Sequence, residues 1–415
     1  MRQNAGSEET NQPMLKRAFS DDPGEEPIAA GDCIARAREL APLIEAHAAE
    51  TEAGRRLAPD VLAALHDTRL FRLLMPRSCD GMELEPATYV QVIEEIAKAD
   101  ASTAWCVVQG SGCSIAAAFL APNVARDVFG DPRAVLCWGP TDGKPRAVVA
   151  DGGYRVTGTW TFASGLMHAT WVGGHCVIVE RDGSLRPGPD GKPLDRTMVI
   201  PKSSVTVTDV WHVVGLKGTG SNTFSCADVF VPEAYTLTRE SDADRREFGP
   251  LYRFTTFQLY GVGFAGIALG IARSMLDHFV GLAVGKTAYR QTKVLRENAV
   301  IQSQVAIAHA KLNSSRALLL QTLRELWATV SNGDEISLEQ RAALRLASVY
   351  AAHQSKDVVD AVYHAAGATA IFEDNAYERR FRDLHTVIQQ VQGQFHNFEL
   401  VGQVLLGLPP GSKLI

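Results

Sequence analysis

The stretch that decides the fold is GGYRVTGTWTFASG, residues 152–165, which runs directly into LMHATWV at 166–172. Its Tyr, Val, Thr and Trp residues alternate with small or polar ones and glycines stand at both ends, a pattern typical of β-strands joined by turns. The last strand ends at a hydroxyl, Ser164, close to the aromatic Phe162. Such a rim can stack on a planar ligand and offer polar groups to its edge; the alternative is a buried aromatic hairpin in which Ser164 only forms the turn.

The strand pattern extends on both sides of this stretch, and helical patterns flank it. Between about 134 and 240 the chain is rich in Val, Thr and Ile with period two, whereas the flanking segments place apolar residues three and four apart. A capping box at Ser337 and Gln340 opens one of the C-terminal helices. We therefore predict a disordered arm at 1–28, an N-terminal helical domain at 29–132, a β domain at 133–240 and a C-terminal helical domain at 241–415.

The composition favours an enzyme that acts on a small molecule. The chain has 415 residues, of which 46% are hydrophobic, and a net charge of −6, which gives no electrostatic reason to expect nucleic acid or an anionic membrane as a partner. No run of about 18 apolar residues is apparent, so we expect no membrane span. The seven cysteines are scattered and contain no C-x-x-C pair, which argues against a disulfide framework and a metal site and suggests a reducing, cytoplasmic location.

Two further segments carry polar residues in patterns that suggest function. In GLKGTGS, residues 215–221, the glycines Gly215, Gly218 and Gly220 suit tight turns, with a phosphate cradle as the minority interpretation. No helix follows them, so a dinucleotide fingerprint is absent. The segment YERRFRDLH, residues 377–385, reads as a charged helix face, and the spacing of His385 and His396 does not indicate a metal site.

The quoted segments, taken in order, resemble the acyl-CoA dehydrogenase superfamily. The resemblance rests on ADASTAWCV at 99–107, GGYRVTGTWTFASG, GLKGTGSNTFSCADVFVP at 215–232, and RRFRDLH followed by NFELVGQVLLG at 397–407. Within that superfamily, the segments look most like the group D two-component flavin-dependent monooxygenases, such as the 4-hydroxyphenylacetate, secosteroid and dibenzothiophene enzymes. The resemblance implies an α+β multidomain fold with an N-terminal helical domain, a middle β-barrel and a C-terminal four-helix bundle, assembled as a homotetramer.

The resemblance also implies where a flavin would bind. Ser164 matches the residue whose hydroxyl or amide faces flavin N5, Phe162 matches an aromatic placed against the ring, and the loop Trp138–Thr141 matches the one lining the pyrimidine side. Arg290 stands where dehydrogenases use an Arg followed by Phe-Gly to reach the FAD pyrophosphate from a neighbouring subunit. Because Phe-Gly is missing here, the resemblance leaves both FAD and FMN open.

The same comparison bears on the reaction. A dehydrogenase needs a carboxylate base, and Gln392 stands at the matching position, where an amide cannot accept the α-proton. Phenol hydroxylases of this branch often have histidines where this chain has Cys113 and Gln390, which favours a substrate that needs no base, such as an amine, a sulfur or a nucleophilic carbon. The substrate-facing candidates are Cys113, Ser114, Gln390 and His396; His168 and His385 are candidates for shifted roles.

The expected activity is that of an oxygenase component. Reduced flavin, FADH2 or FMNH2, would come from a separate flavin reductase, since the sequence has no nicotinamide fingerprint, and would react with O2 to give a C4a-hydroperoxide that oxygenates a small organic substrate. Two alternatives remain: an acyl-CoA dehydrogenase or oxidase with an unrecognised base, and a non-catalytic relative that kept the fold.

Overall fold

The computed structural model describes residues 30–141, 145–188, 191–239, 241 and 243–412. The predicted arm at 1–28 lies outside the described residues. Within them the chain runs as helices, then strands, then helices, which confirms the predicted fold class. All seven cysteines lie in the described part, and no disulfide joins any of them there.

Six helices form the N-terminal part: α1 (Ala30–Ala46), α2 (Ala48–Gly54), α3 (Pro59–Asp67), α4 (Pro86–Ala99), α5 (Ala101–Ser114) and α6 (Pro122–Phe129). Proline opens α3, α4 and α6, at the position where its missing N–H costs nothing. Asp100 caps α5 by accepting from the backbone N–H of Thr103 at 2.7 Å. This cap fixes where α5 begins, and α5 carries Trp105 and Cys113 toward the centre of the molecule.

The middle part is one mixed sheet of eight strands: β1 (Leu136–Gly139), β2 (Arg146–Ala150), β3 (Gly153–Ala163), β4 (Trp171–Val179), β5 (Asp195–Pro201), β6 (Thr206–Thr208), β7 (Asn222–Pro232) and β8 (Thr236–Leu237). The order is β6-β7-β3-β2-β4-β5-β8, with β1 paired to β4. The strands β6 and β8 stand at the two ends of this order. The sheet has its own core, in which Trp160 of β3 stacks on Phe224 of β7 with centroids 4.9 Å apart.

Five helices complete the chain: α7 (Thr256–Gly285), α8 (Ala299–Ser331), α9 (Leu338–Ala366), α10 (Ala376–Val387) and α11 (His396–Leu405). The predicted capping box at Ser337 and Gln340 is present at the start of α9. By length and composition α7 could cross a membrane, but 89% of its most apolar window is buried inside the protein. A Cβ on Gly270 would come within 2.5 Å of the backbone oxygen of Glu94, so the small residues of α7 permit close contact with α4.

Three elements meet where the sheet joins the helices. Trp105 of α5, Trp138 of β1 and both Tyr260 and Phe264 of α7 belong to one continuous apolar core. The end of β3, with Ser164, contacts the same place through Trp105. The predicted rim at Ser164 therefore lies at this junction.

Candidate functional site

The rim predicted from the opening stretch is the end of β3 and the turn that follows. Phe162 is 62% exposed, although it is a large apolar residue, and its backbone has a left-handed φ of 51°. That conformation is unfavourable for an aromatic residue and is found mainly where function requires it. Ser164, two residues later, is only 5% exposed. The rim thus presents an apolar ring outward and holds a hydroxyl inward.

The loop after β1 lies directly against this rim. The backbone N–H of Thr161 donates to the carbonyl oxygen of Pro140 at 3.1 Å. A Cβ on Gly139 would approach the carbonyl oxygen of Thr161 to 2.2 Å, so no larger residue fits there without moving the strand. Thr141, the last residue described in this loop, is half-buried. The structure therefore brings the segment 138–141 and the segment 161–164 together, as a shared flavin-binding role requires.

The Ser164 hydroxyl begins a chain of buried hydrogen bonds. The indole N–H of Trp105 donates to Ser164 Oγ at 2.9 Å, and Ser164 Oγ lies 2.7 Å from Ser221 Oγ. Ser221 Oγ lies 2.7 Å from Thr219 Oγ1. Thr219 donates its proton to the carbonyl oxygen of Leu216 at 2.8 Å.

The direction of each bond in this chain is fixed at both ends. An indole N–H can only donate and a carbonyl oxygen can only accept, and each hydroxyl carries one proton. Ser221 must therefore donate to Thr219, and Ser164 must donate to Ser221. The Ser164 proton therefore points toward Ser221, and its oxygen is held between Trp105 and Ser221.

The chain of hydrogen bonds ends beside the buried carboxylate of Asp383. The backbone N–H of Leu216 donates to Asp383 Oδ1 at 2.6 Å, and Asp383 is 3% exposed. Burial, and then the nearby carboxylate of Asp100, raise the pKa of Asp383 to about 7. Burial also raises the pKa of Asp100. Neither aspartate was assigned a role from the sequence; the available signal was that Asp100 lies in the segment ADASTAWCV and Asp383 in RRFRDLH.

The glycines of segment 215–221 serve close packing. A Cβ on Gly215 would meet the carbonyl oxygen of Arg382 at 2.3 Å, and one on Gly218 would meet Thr51 Cγ2 at 2.3 Å. Their free faces are therefore covered by α10 and α2. Close packing accounts for Gly215 and Gly218, and Gly220 has the left-handed φ of 50° that suits the predicted tight turn.

An aromatic wall faces the rim from the helices. Trp105 stacks on Phe264 with centroids 4.3 Å apart, and Phe264 stacks on Tyr260 at 5.8 Å. The Tyr260 hydroxyl lies 3.3 Å from Cys113 Sγ. Burial raises the pKa of the Cys113 thiol to about 12, so Cys113 stays protonated at neutral pH and cannot act as a base.

The other predicted substrate-facing residues are placed differently. Ser114 Oγ donates to the backbone oxygen of Ser111 within α5 at 2.7 Å. Gln390 Oε1 accepts from the backbone N–H of Gln392 at 2.5 Å and so caps a short helical turn. His396 is exposed and lines a separate cavity of about 290 Å³. The structure thus places Cys113 at the wall, ties Ser114 and Gln390 to local backbone, and puts His396 elsewhere.

The remaining histidine candidates have structural partners. Burial lowers the pKa of His168 to about 3, so its ring is neutral; it packs against Phe71 with centroids 5.3 Å apart. His385 Nε2 lies 2.8 Å from Asp360 Oδ1, which ties α10 to α9. The His168 ring also lies beside Gly165, since a Cβ there would be 3.0 Å from His168 Nε2.

Arg290 lies far from the rim within one chain. It is exposed, follows the C-terminal end of α7 and lies over the ring of Tyr289. Tyr260 lies in the second turn of α7, and a rise of 1.5 Å per residue puts about 38 Å between it and the end of that helix.

Comparisons with known proteins agree with this geometry. The family model described as acyl-CoA dehydrogenase, N-terminal domain, matches residues 35–121, and that of the acyl-CoA dehydrogenase C-terminal domain matches residues 262–394. An indole-3-acetate monooxygenase of Pseudomonas putida is 28% identical over 361 residues, which cover 87% of this chain and 90% of that protein. An FADH2-dependent resorcinol hydroxylase, oxygenase component, of Rhizobium sp. is 29% identical and covers 92% and 95%.

A solved structure extends the comparison to three dimensions. XiaF from Streptomyces sp., in complex with FADH2 and glycerol, superposes with a TM-score of 0.84 at 25% identity, over 92% of this chain and 97% of XiaF. The helical, sheet and helical parts therefore have the arrangement of a protein that binds reduced flavin.

Proposed function

This chain belongs to the acyl-CoA dehydrogenase family, in its flavin-dependent monooxygenase branch, and from that premise we propose that it is the oxygenase component of a two-component system. It takes FADH2 or FMNH2 from a separate reductase and uses O2 to oxygenate a small organic substrate. The observation that carries the proposal is the rim: an exposed Phe162, the adjoining loop 138–141 and a Ser164 hydroxyl of fixed orientation.

The rim fits a flavin by its chemistry. Phe162 leaves most of an apolar ring uncovered, and Trp211 supports it edge-on with centroids 6.0 Å apart. An exposed aromatic ring beside a polar, hydrogen-bonded turn suits a planar ligand with one polar edge. Phe162, Ser164 and the loop Trp138–Thr141 would hold the flavin. Reduced flavin, when bound, supplies the electrons that activate O2.

The protein's own residues orient the ligand and exclude water. Trp105 and Ser221 hold Ser164 Oγ from two sides, so that oxygen does not reorient during the reaction. On the other side Tyr260, Phe264 and Cys113 are buried and carry no charge at neutral pH. A dry wall of this kind slows the loss of a reactive oxygen species to water.

The residue at the position of the dehydrogenase base, Gln392, favours oxygenation over dehydrogenation. Gln392 packs against α7, with its Cγ 3.7 Å from where a Cβ on Gly261 would lie. Its amide has no proton-accepting pKa in the working range, so it cannot take an α-proton from an acyl thioester. The acyl-CoA dehydrogenase alternative therefore lacks a base at this position.

We infer that the working form is a homotetramer, in which Arg290 of each chain serves a flavin at another chain's rim. The support is that Arg290 follows the end of α7, which lies about 38 Å along that helix from Tyr260. Size-exclusion chromatography with light scattering tests the assembly. An active monomer would contradict it.

Single-turnover oxygenation tests the function. Chemically reduced FAD or FMN is mixed with the protein, ¹⁸O2 and each of indole-3-acetate, indole and resorcinol, and products are read by mass spectrometry. We expect one ¹⁸O atom in at least one product. Complete conversion of O2 to hydrogen peroxide with all three compounds, together with bleaching of bound oxidised FAD by an acyl-CoA ester, would overturn the proposal in favour of a dehydrogenase.

A further inference from the structure

Arg239, just after β8, is held in a fixed position at the junction of sheet and helices. It is half-buried, and its guanidinium carbon lies 4.2 Å from the ring centroid of Trp138. Its Nη2 lies 3.0 Å from Nε2 of His175. Stacking on an indole and hydrogen bonding to an imidazole orient the planar fork of the guanidinium.

The imidazole that orients Arg239 does not neutralise its charge. Because an arginine N–H can only donate, Nε2 of His175 must accept, and the proton sits on Nδ1. Nδ1 lies 2.8 Å from Thr197 Oγ1, which accepts that proton. Burial, and then the charge of Arg239, lower the pKa of His175 to about 3, so the ring stays neutral.

Arg239 has no carboxylate partner among the described residues, unlike the half-buried Arg382 and Arg196. Arg382 pairs with Glu378 and Glu52, and Arg196 pairs with Asp244 at 3.3 Å. Throughout the ranges that the structure describes, no carboxylate lies within ion-pair distance of Arg239. Burial raises the pKa of Asp195 to about 6, and the positive charge of Arg239 opposes this rise. The two groups nevertheless form no ion pair. Arg239 keeps donors that can serve an outside anion.

The guanidinium lies beside the aromatic wall. The Trp138 ring beneath it meets Tyr260 edge-on with centroids 6.4 Å apart, and the Tyr260 hydroxyl contacts Cys113. Arg239 and the wall are therefore separated by about the width of one indole ring. A ligand with an aromatic body and a short acidic arm matches this arrangement of apolar wall and fixed cation.

We propose that Arg239 anchors the carboxylate of an aromatic acid substrate, whose ring lies along the wall of Tyr260 and Cys113. This inference rests on the proposed function, because it names the substrate class of that same site. Arg239 is a specificity-determining residue, and Trp138 and His175 are positioning residues that hold it.

Matched ligands test the anchor. Indole-3-acetate and indole-3-acetamide share ring and shape but differ in charge, and calorimetry measures the affinity of each for wild type, Arg239→Gln and Arg239→Lys. Wild type should bind the acid about 10-fold or more tightly than the amide, as expected for a charge-assisted hydrogen bond. Arg239→Gln should bring the ratio near one, and Arg239→Lys should keep part of it. Arg155→Gln is the control, since Arg155 also lies over an aromatic ring, Phe230, but is exposed.

The outcomes separate this proposal from the flavin function. Equal binding of acid and amide by wild type, binding of neither, or an unchanged ratio in Arg239→Gln would overturn the anchor. Reduced FAD is titrated in parallel, and its affinity should stay within about twofold in every variant. Failure of wild type to bind reduced FAD would instead refute the proposed function.

Discussion

Two networks meet at Ser164 and are built from opposite chemistry. On one side, the hydroxyl chain of Ser164, Ser221 and Thr219 is polar, and every hydroxyl in it has a donor and an acceptor. On the other, the aromatic wall from Trp105 through Phe264 to Tyr260 is apolar and held by stacking. The first fixes the direction of one hydroxyl, and the second keeps water away from it. Trp105 belongs to both, since its ring stacks while its N–H donates.

Removing the middle of the aromatic wall should give the largest loss of stability. Phe264 is 4% exposed, so Phe264→Ala should lower the free energy of unfolding by about 3–5 kcal/mol through lost burial and a residual cavity. Urea denaturation measures this. Phe248→Ala is the control, because Phe248 is 74% exposed, and its change should stay within about 0.5 kcal/mol. A loss for Phe264→Ala no larger than for the control would show that the wall is not packed as described.

Breaking the hydroxyl chain should cost less. Ser221→Ala leaves the Ser164 proton without an acceptor and Thr219 without a donor, which should lower the free energy of unfolding by about 1–3 kcal/mol. It should also weaken reduced-flavin binding, whereas Phe264→Ala should chiefly raise hydrogen peroxide release. Ser303→Ala on the exposed face of α8 serves as the control. Unchanged stability and flavin affinity in Ser221→Ala would contradict the directed chain.

Asp383, the carboxylate at the end of the hydrogen-bond chain, should make the stability of the protein depend on pH. The pKa of Asp383 is higher in the folded protein than in the unfolded chain, so as pH rises the unfolded chain loses the Asp383 proton first. The stability that Asp383 contributes is therefore fully present below about pH 4 and is lost as pH rises through about 7. Wild type should therefore lose stability relative to Asp383→Asn between pH 5 and 8, by at most about 1.4 kcal/mol per pH unit.

The difference between these two proteins is the informative quantity. His168 and His175 have lowered pKa values and act in the opposite direction, but they are present in both proteins. The asparagine keeps an acceptor for the Leu216 N–H. Parallel stability curves for wild type and Asp383→Asn across this range would show that Asp383 does not titrate there.

Local patterns in the sequence were sufficient for the elements and for one half of the site. The period-two run ending at Ser164 predicted the rim. The resemblance paired this rim with the loop 138–141, and the backbone N–H of Thr161 donates to Pro140 in that loop. The β domain in the middle of the chain was expected from the resemblance, and the described strands form one mixed sheet there, with β6 and β8 at the ends of the strand order.

The other half of the site depends on contacts between distant segments. Asp383 reaches the rim only through the Leu216 peptide, and Arg239 acquires meaning only when Trp138 and His175 are folded around it. Ser114 and Gln390 were plausible substrate-facing residues because they carry polar side chains. In the structure, however, those polar atoms are already hydrogen-bonded to nearby backbone. No spacing rule in a single sequence reveals such pairing.

The most direct test is an anaerobic titration of reduced FAD into wild type, Ser164→Ala and the exposed control Ser204→Ala. Flavin fluorescence monitors binding and gives the affinity of each protein. We predict micromolar binding by wild type and Ser204→Ala, and binding about 10-fold weaker by Ser164→Ala, in line with the loss of a buried hydrogen-bonding group. Binding by Ser164→Ala equal to that of wild type, or none by wild type, would contradict the claim that this rim holds the flavin.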